Sequence, residues 1–269
     1  MDHLMKRNTL FGYVGGKSLL KPRILEALSR FEKSPYREPF FGGGSVGLHM
    51  MAYYRSEVWV NDWDVAIHCL WQCVKRFPDQ LKALVREFQP SRDNFYKLKA
   101  FLLSNPVPVG DDDIIRVGFA KLACHRTSYS GLGVMSRGPR GPDETLVRKW
   151  SPDYVCEQTD KLHPHFQRVR LTQGDYSDLI LDESEKSLLY LDPPYYKAGP
   201  VCYQHSFRHP DHVRLSGLLR ATTHDWLLSY DDHPAIRNLY QDWSDIATIE
   251  APYSITSKKT KTELLISRR

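Results

Sequence analysis

Four consecutive residues, Asp192-Pro193-Pro194-Tyr195, concentrate hydrogen-bond acceptors in one turn. They directly follow Leu188 to Leu191, an apolar run that reads as a buried strand. The two prolines remove two backbone donors and stiffen the turn. What remains is the Asp192 carboxylate and the prolyl carbonyls, a set suited to gripping an amino group. An exocyclic amine on a nucleobase is a poor nucleophile because its lone pair is delocalised into the ring. Two acceptors holding its hydrogens favour a pyramidal nitrogen, aim the lone pair and stabilise the positive charge that develops on alkylation. Tyr195 offers a ring on which such a base could stack, and a base within a duplex must first be flipped out. Proline turns followed by tyrosine also occur in loops that do no chemistry, so the surroundings decide.

A second candidate lies upstream. Gly42-Gly43-Gly44 follows Phe41 and precedes a helical pattern, which would let a ligand approach the backbone beside a helix N-terminus. The spacing is neither G-x-G-x-x-G nor a P-loop, so the turn alone is a weak signal. Asp62 strengthens it, because it ends the next apolar strand about 20 positions later, where such folds set a carboxylate against ribose hydroxyls. Asp64 is the more natural cap for the helix that begins at Val65.

The elements that must position these residues read as an α/β chain. Glu38 to Phe41 is expected as a strand, Ser45 to Tyr54 as a helix, Val58 to Val60 as a strand ending on Asn61 and Asp62, and Val65 to Phe77 as a helix. This βαβα opening implies a parallel sheet. From about Pro78 to His165 the pattern turns helical, including a helix near Asp113 to Cys124 with acidic residues at its start. Tyr129 to Pro142, rich in Gly, Pro, Ser and Arg, reads as an exposed loop or hairpin. Strand character resumes at Val169 to Thr172, Leu188 to Leu191, Trp226 to Ser229, Ile246 to Ile249 and Glu263 to Ile266, the last two as an antiparallel edge pair. The expected organisation is a catalytic domain from 1–77 and 166–269, interrupted by a target-recognition subdomain at 78–165.

Composition narrows the classes. A chain of 269 residues with 41% hydrophobic content can bury a sizeable core. No apolar run approaches the roughly 20 residues of a membrane span, and Met1 to Asn8 lacks a secretory apolar stretch. A cytoplasmic protein with no membrane partner is expected, in a bacterial cell or phage-infected host and associated with the nucleoid. Five cysteines without Cys-x-x-Cys spacing suggest neither a disulfide framework nor a zinc knuckle, and Cys69 and Cys73 fall on one apolar helix face. The net charge of +5 is mild, but its distribution is uneven. Arg126, Arg137, Arg140, Arg148 and Lys149 fall in one polar stretch, and Lys258, Lys259 and Lys261 in another. These are the candidate phosphate contacts. His205, His209 and His212 follow the catalytic turn; no metal site is expected from them, and a loop closing over a base or a DNA strand is the preferred reading.

These motifs, in this order, resemble the Dam-like family of DNA adenine methyltransferases. Tyr13-Val14-Gly15-Gly16-Lys17 is similar to its N-terminal aromatic-x-Gly-Gly-Lys motif, Glu38 to Ser45 to its cofactor loop, Asn61-Asp62-Trp63-Asp64 to its acidic strand end, and Asp192 to Tyr195 to its catalytic motif. The resemblance implies a Rossmann-like class I methyltransferase sheet with an inserted, mostly helical DNA-recognition subdomain. It implies S-adenosylmethionine as methyl donor, held by Tyr13, Lys17, Phe41, Gly42, Gly44, Asp62 and Asp192, with Asp175-Tyr176 on its adenine ring. The catalytic residues would be Asp192, Pro193, Pro194 and Tyr195, acting on adenine in double-stranded DNA, with the protein a monomer. Arg126 to Gly131 resembles the family's DNA-facing segment, which makes Arg126, Ser128, Tyr129, Arg137 and Arg140 expected DNA contacts along with Lys258 and Lys259. Leu132 to Pro142 departs from the Asn-Val-Pro-x-Gly hairpin of enterobacterial members. Two other readings compete: amino methylation of cytosine, RNA adenine or a protein amide, and an inactive nucleic-acid-binding regulator. Related cytosine enzymes usually carry Ser, and amide enzymes Asn, where this chain has Asp192; the catalytic acid, glycine turn and Asp62 are all present.

Overall fold

The structure, a computed structural model, describes residues 9–17, 19–31, 34–53, 57–197, 199–251 and 261–269. Lys258 and Lys259 lie outside the described residues.

The chain begins with helix α1 (Lys21–Leu28), strand β1 (Tyr36–Glu38), helix α2 (Gly47–Tyr53), strand β2 (Val58–Asp62) and helix α3 (Val65–Arg76). A helical stretch follows: α4 (Pro78–Glu87), α5 (Arg92–Leu103), α6 (Asp111–Thr127), α7 (Asp143–Trp150) and α8 (Pro152–Phe166). Then come β3 (Val169–Gln173), α9 (Ser177–Leu181), β4 (Leu188–Leu191), α10 (Gly199–Cys202) and α11 (His209–Ala221). The chain ends with β5 (Asp225–Asp231), α12 (Pro234–Tyr240), β6 (Ser244–Ala251) and β7 (Lys261–Arg268). Together the strands make one 7-stranded sheet in the order β3-β2-β1-β4-β5-β7-β6. All neighbours are parallel except β7, which runs antiparallel to both β5 and β6. The expected antiparallel edge pair is therefore present.

All four residues of β4 are buried, because β1 and β5 flank it and both sheet faces are covered. This explains the unbroken apolar run before Asp192. The first strand lies two to three residues earlier than expected, at Tyr36–Glu38. Pro39 cannot donate to a ladder and ends it. The strand evades a hydrophobic pattern because Arg37 and Glu38 are buried polar residues. Arg37 donates to the carbonyls of Leu179 and Asp182, and Glu38 accepts from Tyr36 Oη at 2.6 Å.

Two apolar clusters cover the sheet faces, one containing Val60, Trp71 and Phe166 with Leu122 and Trp150, the other Leu191, Trp226 and Tyr240. The helices between Pro78 and Phe166 are joined to the sheet through the first cluster rather than standing apart from it. The approach of α6 to α3 depends on Gly118, since a Cβ there would stand 2.6 Å from Cys73 Sγ and 2.7 Å from Cys69 O. Both cysteines are buried free thiols, as their shared face suggested. After α6, Tyr129 to Met135 forms two short 3-10 turns, and a bridge between Ser128 and Pro139 closes the loop.

Candidate active site

Strand order reverses direction of growth at β1 and β4, and open α/β sheets bind ligands beyond the carboxyl ends of strands at such a point. A cavity of about 650 Å³ opens there. It brings together Tyr13, Phe41, Gly42, Gly44 and Asp62 from the first part of the chain with Asp175, Tyr176, Asp192 and Pro194 from the second. No helix among the described residues is long and apolar enough to cross a membrane.

Asp192 follows β4, and its carboxylate lies 2.6 Å from Lys17 Nζ. The Lys17 side chain is 3% exposed, so it is no surface lysine but the buried counter-charge of Asp192. Lys17 Nζ also donates to Gly15 O at 2.7 Å, and Ser229 Oγ from β5 donates to Asp192 Oδ1 at 3.1 Å. Burial raises the Asp192 pKa above the usual carboxylate value, and Lys17 opposes that rise. Tyr195 differs from expectation. Its ring is 6% exposed, lies under Lys17 Nζ at 4.8 Å, and its hydroxyl donates to Glu263 at 2.7 Å. The ring is thus packed into the sheet rather than lining the cavity, and Tyr203 and Tyr13 present the nearby aromatic walls.

The glycine turn serves a purpose beyond ligand access. Gly42 and Gly44 adopt positive φ of 48° and 69°, a region that favours glycine. A Cβ at Gly42 or Gly43 would meet the Tyr13 ring or its Cβ at 2.7 Å and 2.6 Å. The turn therefore seats Tyr13, and Trp71 Nε1 pins it from α3 by donating to Gly42 O at 2.9 Å. Asp62 Oδ2 accepts from the Gly42 N–H at 2.7 Å, while Oδ1 accepts from the Asp64 N–H at 2.9 Å. Burial, with the neighbouring Asp64 charge, pushes the Asp62 pKa up to about 6. Asp64 caps α3 through the Ala66 and Ile67 N–H groups, as its position suggested. Burial opposes its ionisation, but Lys121 Nζ at 2.6 Å wins and holds its pKa below the ordinary value.

At the far wall, Asp175 and Tyr176 follow β3. Phe40, Tyr176 and Phe207 pack with ring centroids 5.1 to 5.8 Å apart, an apolar slot beside the Asp175 carboxylate. The cavity lining carries Glu38, Asp62, Asp64, Asp175 and Asp192 against the buried cations Lys17 and Lys121. An aromatic slot, a carboxylate on either wall and an acidic interior match a purine nucleoside that bears a cationic sulfonium, so the residues present fit S-adenosylmethionine.

Two expected DNA contacts are corrected. The Arg126 guanidinium donates to Leu10 O at 2.8 Å and to Trp150 O at 2.6 Å, which ties the N-terminal segment to α7. Ser128 is 1% exposed, with its hydroxyl bonded to His125 O and to the Gly133 N–H. Neither side chain is presented to a partner. Tyr129, 63% exposed, and the exposed Arg137 and Arg140 do face solvent. The three histidines diverge: His205 lines the cavity, His212 is buried against Tyr230 Oη, and His209 packs on Tyr196. Among the described residues no group of His, Cys, Asp or Glu has the geometry of a metal site.

Sequence reading missed Lys121 and His125, which project one helical turn apart from α6 into the cavity wall. It missed Tyr203, whose hydroxyl donates to Val14 O at 2.8 Å, and Arg214, which pairs with Asp175. Glu38 was noted only as part of a motif, yet burial raises its pKa well above the usual value. Acidic starts and basic ends marked α6 and α11 as helices, but nothing local marked the Lys121, His125, Tyr203 or Arg214 side chains.

A parallel sheet with an antiparallel edge pair, its acceptor-bearing turn and acidic strand end converging on one cavity, defines an α/β methyltransferase of the Rossmann-like class. Residues 13–263 match the model of the D12 class N6 adenine-specific DNA methyltransferases, and the chain belongs to that family. It is an adenine-specific DNA methyltransferase. It is also similar to the Type II methyltransferase M.MjaIII of Methanocaldococcus jannaschii, 24% identical over 231 residues, which span 77% of this chain and 78% of that protein.

Proposed function

We propose that the protein binds S-adenosylmethionine in the cavity and methylates N6 of a flipped-out adenine at a specific site in double-stranded DNA. The observation that carries this reading is Asp192, ionisable and seated on buried Lys17, facing the same cavity as Asp62 and Asp175. When bound, S-adenosylmethionine supplies a methyl group activated by its positively charged sulfur.

The chain's own residues do the rest. Asp62 takes the ribose hydroxyls, and Asp175 with Tyr176 takes the adenine ring. Tyr13, held against the glycine turn, closes the cavity beside Gly42 and Gly44. Asp192 and the prolyl carbonyls of Pro193 and Pro194 hold the two hydrogens of the target amine, localise its lone pair and stabilise its developing charge. Lys17 keeps Asp192 in its acceptor form. The helical region from 78 to 165 serves target recognition, with Tyr129, Arg137 and Arg140 at the DNA face. Their exposure supports phosphate or base-edge contacts. We place the enzyme in the cytoplasm with chromosomal or phage DNA, acting as a monomer, and the likeness to a Type II methyltransferase supports pairing with a restriction enzyme.

Purified protein, plasmid DNA and a tritium-labelled methyl donor test this directly. Digestion should yield label in N6-methyladenine alone, and Asp192→Ala should abolish it while the circular dichroism spectrum is retained. Label in cytosine, or cofactor binding without any DNA methylation, overturns the reading.

A further inference from the structure

Asp175 is an exposed-rim carboxylate that a single side chain on another element controls. Its Oδ1 accepts from the Ser177 N–H at 2.8 Å, from Ser177 Oγ at 2.5 Å and from Arg214 Nη2 at 3.0 Å. Its Oδ2 accepts from Arg214 Nη1 at 2.9 Å. One oxygen is therefore saturated while the other retains acceptor capacity, since an ionised carboxylate offers about four lone-pair sites. The two parallel bonds from Arg214 form a fork that fixes the plane of the carboxylate as well as its position. Arg214 is itself held, donating to Ser177 Oγ at 2.9 Å and lying 4.9 Å from the centroid of the Tyr176 ring. Asp175, Tyr176 and Arg214 all line the cavity, next to the slot formed by Phe40, Tyr176 and Phe207.

We propose that Arg214 is a positioning residue for cofactor recognition, orienting Asp175 so that the free lone pair of Oδ2 accepts the exocyclic amine of the cofactor's adenine ring. The inference rests on the reading of this cavity as the S-adenosylmethionine site.

Chemistry supports the assignment. Burial acts to raise the Asp175 pKa, but the Arg214 and Ser177 hydrogen bonds prevail and bring it down to about 2. At neutral pH the group is an acceptor only, so it selects a ring that presents a donor. Without Arg214, a carboxylate whose side chain is 32% exposed could turn toward water, and the penalty for a ring lacking the amine would fall. A lysine would restore the charge but not the fork. A mere surface ion pair would contribute little and would not discriminate between ligands.

Calorimetric titration of the protein separates these cases. The two probes are S-adenosylhomocysteine and its deamino analogue, which carries hydrogen in place of the adenine amine. Wild type should prefer the amine-bearing ligand by about tenfold or more, the usual range for a hydrogen bond to a charged group. Arg214→Gln should bring the two affinities close to parity, the greater loss falling on the amine-bearing ligand, and Arg214→Lys should recover part of the preference. Ser177→Ala, which frees Oδ1 by another route, should give a smaller loss, with thermal melting verifying that each variant is folded. Full preference retained in Arg214→Gln overturns the inference alone. Wild type that binds neither ligand overturns the cofactor reading and the inference together.

Discussion

Replacing Lys17 by methionine removes the cation from a pair in which the lysine side chain is 3% and the aspartate 20% exposed. At their separation of 2.6 Å the Coulomb attraction is about 6 kcal/mol for an effective dielectric constant of about 20. Breaking a buried pair in other proteins costs about 3–5 kcal/mol, so about 3 kcal/mol is a conservative share for the ionised form of Asp192. Loss of that stabilisation of the ionised form should raise its pKa further. The sign follows from the direction of the shift. Asp192 is already raised by burial, so the stability associated with its neutral form is present below the unfolded pKa and lost as pH rises through the folded one. Activity runs the other way, because the acceptor is the ionised form and turnover falls on the acid side. Single-turnover methyl transfer at saturating cofactor and DNA, measured from about pH 5.5 to 9, should show the acid limb moved to higher pH in Lys17→Met, with Lys17→Arg in between. An acid limb in Lys17→Met that coincides with that of wild type would refute the argument that Lys17 sets the charge of Asp192.

Other consequences concern the cavity and the surface. Cofactor affinity in wild type should weaken as pH falls through about 6, where Asp62 takes up a proton; Asp62→Asn should bind about tenfold more weakly and lose that dependence, both read by calorimetry. Gly43→Ala should unseat Tyr13, whose Cβ would lie 2.6 Å from the new methyl group, and reduce cofactor affinity without unfolding the sheet. Arg126→Ala should lower stability by about 2 kcal/mol in a denaturant titration through loss of its bonds to Leu10 and Trp150. By contrast, Arg137→Ala should leave stability unchanged and reduce the salt dependence of DNA binding by about one counterion.

Wherever one face or one run of residues obeyed a single rule, the sequence was sufficient. The apolar run ending on Asp192 could only be a strand buried on both sides, and it occupies the centre of the sheet between β1 and β5. Asp64 capped its helix as its spacing required, and the lysine-rich segment near the C-terminus separated an antiparallel edge pair. Motif order alone pointed to the family. Tertiary structure decided what those residues touch. Arg37 and Glu38 hid a strand because Arg37 finds its partners in a distant segment and Glu38 finds its own in the Tyr36 hydroxyl two residues away, and an apolar pattern cannot register a satisfied buried polar group. Arg126 looked like a DNA contact until its guanidinium was found on two backbone carbonyls, one of them 116 residues away. Lys121 and Arg214 reached the cavity from α6 and α11, through pairs spanning 57 and 39 residues. A side chain's type and local spacing report the backbone it belongs to, whereas its charge state and its partner depend on which remote segment the fold brings beside it. The sequence therefore marked Asp192 by the apolar strand that precedes it, and the fold made buried Lys17 its partner across 175 residues.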